Sequence, residues 1–391
     1  MGGVYRPRPI VPPLISSTAA NQQVLEQIAQ GTGGFVIINS NDLLGGMQKV
    51  SQEQAQYYIL GYEPEVADDG SCHTLKVKVD RGGTMVRART GYCNVKPVDL
   101  LAGKPIEKEL ESRANGSQSG ITASMLSPFF YTSSNTARVD LAIEIPPDTI
   151  KFDKEKGKFK GSVDVLGIAY KPDGGVAAKF SDTVNLEFPE KKEVEEFSKH
   201  PYHYENQFDI AAGTYTLKVA FTSGGPSFGK LESRLVIAPY DQKQFAISSL
   251  ALSRRIYKVS DITSGLESEL LEDRKPLVYQ GMQLIPTGSN HFTKAEPVGA
   301  YLEVYDPFLL ADNPPKLSLE IHVLDKASGK DEIRAAITNT AEAIKPGSPV
   351  VPMALHIPVE KLNPGAYRLD LRAVDSAGHT SSISSAEFSL E

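Results

Sequence analysis

The chain has 391 residues, 40% of them hydrophobic and 23% charged, with a formal net charge of -7 and acids and bases interspersed. That is enough for two or three domains with real cores, and it excludes a general nucleic-acid binder, which needs a basic footprint. No apolar run reaches the roughly 18 residues of a membrane span. Met1-Gly2-Gly3-Val4-Tyr5 lacks the basic-then-apolar order of a signal peptide, so either the chain is cytoplasmic or its true start lies upstream of Met1.

Residues 6–20 are rich in Pro, Ser and Thr and read as a loop. Val24, Leu25, Ile28 and Ala29 set one apolar face of a short helix from about Asn21, with Gly31 suited to its C-terminal cap. Phe35, Val36, Ile37 and Ile38 form a continuous apolar run, the mark of a strand covered on both faces. Asn41 or Asp42 can cap a second helix carrying Leu43, Leu44, Met47 and Val50, which Gly45-Gly46 weakens. Helix, strand and helix in that order is α/β logic. From Tyr57 onward the pattern changes to period-two alternation.

A hairpin is predicted over residues 73–79 and 85–89, with its turn at Gly82-Gly83. In that register the chain's only two cysteines, Cys72 and Cys93, face each other. They fall on a non-hydrogen-bonded pair, where Cα atoms come closest and a disulfide can be spanned. A disulfide is the favoured reading over two unrelated buried thiols, and it favours an oxidising, extracytoplasmic compartment. The same register sets Lys76 against Arg89 and Lys78 against Arg87, which is unfavourable unless carboxylates such as Glu63 or Glu65 offset it.

Pro105 can open a short helix with Ile106 and Leu110 on one face, in a polar stretch over 97–122 that reads as a linker. Two β-rich blocks follow. The first has strands over 138–145, 161–170, 176–188, 213–221 and 231–237, with a turn at 171–175; the second has strands over 299–305, 317–324, 365–374 and 382–390, with a turn at 327–329. Both contain Gly-x-Tyr-x-Leu, at Gly213-Thr214-Tyr215-Thr216-Leu217 and Gly365-Ala366-Tyr367-Arg368-Leu369. In β-sandwiches such a segment starts a central strand, with the Tyr placed to hydrogen-bond a neighbouring loop. Residues 244–253 read as a strand-like connector and the acidic run at 267–273 as a solvated loop.

Candidate sites are sparse. His200, His203 and Glu205 suggest a metal cluster, but Pro201 separates the histidines and the spacing matches no structural zinc pattern; an exposed loop before a strand at 208–210 is the favoured reading. Asp68-Asp69-Gly70, and Asp306 with Asp312-Asn313, lack the ligand spacing of an EF-hand loop and read as turns. Thr222-Ser223-Gly224-Gly225-Pro226 is Gly-rich, yet Pro226 and the β context argue against a phosphate cradle. The cysteines lack the His or Asn pattern of a nucleophile. The 16 tyrosines fall mostly at strand positions and read as core or corner residues.

Leu25-x-x-Ile28-Ala29-x-x-Thr32-Gly33-Gly34, then Tyr57-Tyr58-x-Leu60-Gly61-Tyr62-x-Pro64, resembles the C-terminal end of bacterial, acidobacterial-type von Willebrand factor A (VWFA)-related proteins. His73-x-Leu75-x-Val77-x-Val79 and Val86-Arg87-Ala88-Arg89-x-Gly91-Tyr92 fit that family too. Beyond residue 123 the resemblance is to immunoglobulin-like or fibronectin-like modules. The family binds a divalent cation through Asp-x-Ser-x-Ser, which is absent from this sequence. No metal-site residue carries over, and the part that would hold one is expected upstream of Met1.

The resulting expectation is a mainly β chain: a partial VWFA-like α/β tail over 1–64, a β-hairpin subdomain over 65–96, a linker over 97–122, sandwiches over 123–240 and 278–391, and a connector over 241–277. Val24, Leu25, Ile28 and residues 35–38 are expected to pack on the hairpin or to leave an apolar patch. The expected role is that of a non-enzymatic, exported bacterial protein for protein–protein interaction or surface scaffolding, periplasmic, surface-bound or secreted. It has a protein partner, no nucleic acid, no membrane span, no cofactor, no metal and no catalytic residues. The alternatives are an accessory β-module region of an exported enzyme or protease system, and a polysaccharide-binding module, against which the absence of Trp weighs.

Overall fold

The computed structural model describes residues 29, 32–37, 42–55, 72–84, 86–89, 91–93, 101–116, 119–224, 227–258, 274–311, 313–338 and 347–391. The chain divides into two compact units, Met1–Lys96 and Pro97–Glu391. The second is mainly β, built from several sheets.

In the first unit a helix, α1 (Leu43–Ala55), starts where expected. Asp42 caps it, its Oδ1 accepting from Gly45 N–H at 2.8 Å. The hairpin also forms, but only as β1 (Cys72–Thr74) and β2 (Gly91–Cys93), with Cys72 opposite Cys93, His73 opposite Tyr92 and Thr74 opposite Gly91. The turn falls at Gly82-Gly83, with Gly83 at φ 77°. Between turn and ladder the strands are not formed, which corrects the expected length. The register there would oppose Lys76 to Arg89 and Lys78 to Arg87. Arg87 instead lays its guanidinium over the Phe35 ring, 4.4 Å from the centroid. Gly33, at φ 78°, approaches the Ala88 backbone so closely that a Cβ would meet it at 2.8 Å. Residues 35–37 of the 35–38 run expected as a buried strand pack against the hairpin without belonging to a sheet. Ile37, Leu44 and Met47 are exposed, the last two at 70% and 66%. The expectations for Val24, Leu25, Ile28, Gly31, Ile38, Asp68 and Asp69 lie outside the described residues.

The second unit opens with α2 (Pro105–Asn115), which begins at Pro105 as expected. Its stretch is not a free linker. Leu101, Leu110 and Ala114 are buried against Leu166, Ile168 and Ala220 of a sheet face, and Glu107 pairs with Lys179. The apolar stripe is short but complete, so the helix acts as a cover.

The first sandwich follows: β3 (Ser124–Leu126), β4 (Phe129–Ser133), β5 (Thr136–Ile145), β6 (Asp153–Glu155), β7 (Lys158–Tyr170), β8 (Val176–Phe188), the helix α3 (Lys191–Phe197), β9 (Tyr202–Ala211), β10 (Gly213–Thr222) and β11 (Phe228–Ile237). One sheet joins β3 and β4 to β5 and β5 to β9; the other joins β11, β10, β7 and β8, with β6 folded back on β7. Alternate residues of β5, from Ala137 to Ile145, face Val163, Val165, Leu217, Val219 and Phe221 across one core. Burying one such side chain contributes about 1.5–3 kcal/mol.

Next come β12 (Ala246–Ile247), β13 (Ala251–Ser253), β14 (Arg255–Lys258), β15 (Leu277–Tyr279), β16 (Met282–Ile285), β17 (His291–Phe292), β18 (Val298–Tyr305), β19 (Leu317–Asp325), β20 (Asp331–Thr338), β21 (Val350–Ile357), β22 (Gly365–Asp375) and β23 (Ser384–Leu390). β12 and β13 join β18, and β18 joins β21; the facing sheet runs β17, β23, β22, β19, β20. β14, β16 and β15 form a small separate sheet. The expected connector is therefore part of the folded body: β12 and β13 complete the second sandwich, with Ile247, Leu250 and Leu252 in its core.

The two sandwiches share one topology. β3 with β4 corresponds to β12 with β13, β5 to β18, β7 to β19, β8 to β20, β9 to β21, β10 to β22 and β11 to β23. The Gly-x-Tyr-x-Leu segments open the matching strands β10 and β22. Tyr215 donates to Ala211 O at 2.9 Å and Tyr367 donates to Asn363 O at 2.7 Å, each four residues upstream. The bond to a neighbouring turn is as expected for both. The expected turns also form: Gly174 at φ 85° and Gly329 at φ 69°, the latter held by Asp325 accepting from Ser328. On the outer face of β19 and β22, charges pair locally: Arg372 with Glu320 at 2.6 Å and Arg368 with Asp370 at 2.9 Å.

Candidate functional site

The densest buried polar chemistry lies where the two sandwiches meet. β18 is buried along its whole length. Val298, Ala300, Leu302 and Val304 face its own core, so Tyr301, Glu303 and Tyr305 point the other way. Tyr305 enters the core of the first sandwich, its ring 5.4 Å from that of Tyr131 and 5.2 Å from that of Tyr240. Its hydroxyl accepts from Tyr131 N–H at 2.8 Å and donates to Glu303 Oε2 at 2.7 Å. Tyr301 donates to Glu303 Oε1 at 3.2 Å. Burial, with Glu303 beside them, raises both phenols above the ordinary tyrosine range. They remain neutral donors. A second tie comes from Ser249, whose Oγ accepts from Phe129 N–H at 2.5 Å and donates to Phe129 O at 3.1 Å.

Beside this seam, the outer face of β5 and β9 carries Arg138, Asp140 and Glu144 on one strand and His203, Glu205 and Gln207 on the other. Asp140 is 3% exposed. Its Oδ1 accepts from Arg138 Nε at 3.0 Å, while Oδ2 is buried with no partner among the described residues. Burial pushes its carboxyl up to about 7; Arg138 opposes this, and Glu303 and Glu205 reinforce it. His203 Nδ1 lies 2.9 Å from Glu144 Oε1 and its Nε2 2.7 Å from Glu205 Oε1. Burial depresses its basicity, but the two glutamates outweigh that and raise it. Glu205 also pairs with Arg274 at 3.4 Å. Asp140, Glu205, Gln207, Arg274 and Gln283 line a cavity of about 160 Å³ between this face and the small sheet.

The expectation of an exposed loop at His203 and Glu205 is corrected. Both sit on β9, which starts at Tyr202, and both are half-buried or better. Tyr204, Phe208 and Ile210 alternate inward, but the outward residues are polar and are covered by a segment some 70 positions away. His200 is exposed in the turn before β9. Among the described residues no group of three or more His, Cys, Asp or Glu is arranged to hold a metal ion. Asp306 caps a short helical turn, Oδ1 accepting from Phe308 N–H at 2.9 Å; Asp312 lies outside the described residues. Thr222 donates to Ser227 O within the turn joining β10 to β11. Cys72 and Cys93 are opposed in the backbone register. Asp140, Arg274 and the seam tyrosines were not singled out from sequence. The one signal for them is Glu303, a lone acid inside the apolar run 298–305.

No protein-family model matches the chain, and no curated protein matches it. Among solved structures it is similar to a variant of BcpA, the major pilin subunit of Bacillus cereus, at 11% identity over 69% of this chain and 67% of that one. The TM-score is 0.17, too low to assign fold or function. Among the described residues no helix is long and apolar enough to cross a membrane.

Proposed function

We propose that this chain is a non-enzymatic, exported bacterial protein for protein–protein interaction and surface scaffolding, in which two immunoglobulin-like sandwiches are fused into one stiff body. The observation that supports it is the seam. A Tyr–Glu–Tyr network and a doubly buried strand replace the thin, polar contact expected of modules that swing freely. Shared strand topology and a tyrosine corner in each sandwich support the immunoglobulin-like assignment. For the first unit we propose a VWFA-related α/β element with a Cys72–Cys93 disulfide. The Asp42-capped helix and the Cys72–Cys93 register support it.

Stiffness is tested with spin labels on Asp173→Cys in the first sandwich and Ser328→Cys in the second, both at exposed turns. One narrow distance distribution is expected; a broad one removes the basis for a scaffold. Export is tested by separating the cytoplasm, the envelope and the medium of producing cells, where protein confined to the cytoplasm overturns it. For the disulfide, intact mass without reductant is expected two hydrogens below the reduced mass.

A further inference from the structure

His203 is held between two carboxylates, Glu144 on one ring nitrogen and Glu205 on the other. A neutral imidazole carries one N–H and one lone pair, so a neutral ring would set its lone pair against a carboxylate. Only the imidazolium donates to both. Glu205 turns its second oxygen to Arg274. Two residues along the same face, Gln207 exchanges two hydrogen bonds with the backbone of Lys275, donating to its O at 3.0 Å and accepting from its N–H at 2.8 Å. That backbone runs directly into β15 and the small sheet. At the other end of the segment, Gly288 sits on β5 so closely that a Cβ would lie 2.6 Å from Glu144 N. His203 therefore orients the carboxylate that tethers the covering segment. Asp140, on the same face and under the same cover, has one buried oxygen with no partner among the described residues, which disfavours its ionised form.

We propose that this junction is a pH-sensitive latch: with His203 protonated and Asp140 neutral, residues 274–288 are held closed over β5 and β9, and proton loss from the two side chains loosens them. The groups facing the pair are Arg138 and Glu144 from β5, Glu205 from β9, with Asp209 opposite Arg138 in the register, Arg274 and Lys275 from the covering segment, and Glu303 with Tyr301 from β18. Both side chains act in the same direction. The folded values of His203 and Asp140 lie above their unfolded values of 6.5 and 3.8, so the folded protein binds more protons than the unfolded chain and loses that stabilisation as pH rises. For Asp140 the loss runs from the ordinary carboxylate range to about 7; for His203 it runs from 6.5 through its raised value.

The test is hydrogen exchange of the full chain at about pH 5.5 and about pH 8.5, corrected for intrinsic rates, read on residues 277–285. At least about a tenfold loss of protection is expected at the higher pH. The combined His203→Gln and Asp140→Asn variant is expected to lose that dependence. Unchanged wild-type protection overturns the latch, as does a variant that keeps the full slope. Nitrogen chemical shifts of the His203 ring in the wild-type protein give a readout without any substitution: both nitrogens protonated at about pH 6 is expected, and a neutral ring there refutes the proposal.

Discussion

Removing one oxygen at the seam, by Tyr305→Phe, isolates its polar contribution. The ring keeps its contacts with Tyr131 and Tyr240, so no cavity opens. Two hydrogen bonds are lost: the one accepted from Tyr131 N–H at 2.8 Å and the one donated to Glu303 at 2.7 Å. A neutral hydrogen bond contributes about 1 kcal/mol net and one to a charged group about 1.5–3 kcal/mol. Both partners stay buried, so water does not repair the loss and about 3 kcal/mol is expected. The assay is urea unfolding followed by far-ultraviolet circular dichroism, because the chain has no Trp to report fluorescence. Tyr305 sits on a strand of the second sandwich and in the core of the first, so the variant is also expected to separate one transition into two. A loss below about 0.5 kcal/mol with a single transition would show that the phenol is solvated and the seam is not a dry network. A double-mutant cycle with Glu303→Gln is expected to show coupling of about 1–2 kcal/mol.

Tyr215→Phe and Tyr367→Phe each remove one hydrogen bond to a backbone carbonyl, and thermal melts are expected to show about 1 kcal/mol lost for each. The two losses are expected to add, since the residues lie in different sandwiches. Gly288→Ala places a Cβ 2.6–2.7 Å from the backbone of Ile143 and Glu144; a destabilisation of about 1–3 kcal/mol is expected in denaturant. Wild-type stability is expected to fall as pH rises from the ordinary carboxylate range to about 7, by up to about 4 kcal/mol for Asp140 alone. Asp140→Asn is expected to flatten that part of the profile, and an unchanged slope in the variant assigns it to other groups.

What was legible in the chain was local. Gly-x-Tyr-x-Leu marked both corner strands because the tyrosine bonds a carbonyl four residues away, a contact that needs no long-range information. The turns at Gly174 and Gly329 were legible because positive φ selects glycine. The hairpin turn was visible and its short ladder was not, because like charges in register and the pull of Phe35 on Arg87 act against the alternation. β9 was missed from Tyr202 to Gln207 because its outward residues are polar yet covered. Their cover, residues 274–288, is set by how one sandwich docks on the other. The α2 stripe was half seen in Ile106 and Leu110; Leu101 and Ala114 join it only once the sheet beneath is known.

The paired charges on the outer face of β19 and β22 have a kinetic consequence. The outer faces of β5 and β18 are buried in the seam and that of β7 and β10 lies under α2, which leaves the β19–β22 face as the open sheet surface among the described residues. Arg372 with Glu320 and Arg368 with Asp370 each neutralise a neighbour a few ångströms away. Such a mosaic has almost no field beyond a Debye length of about 8 Å. A partner docking there would not be steered in. It would associate at an unassisted rate of roughly 10⁵–10⁶ M⁻¹s⁻¹, little changed by salt, and selectivity would reside in how slowly a well-fitted complex dissociates.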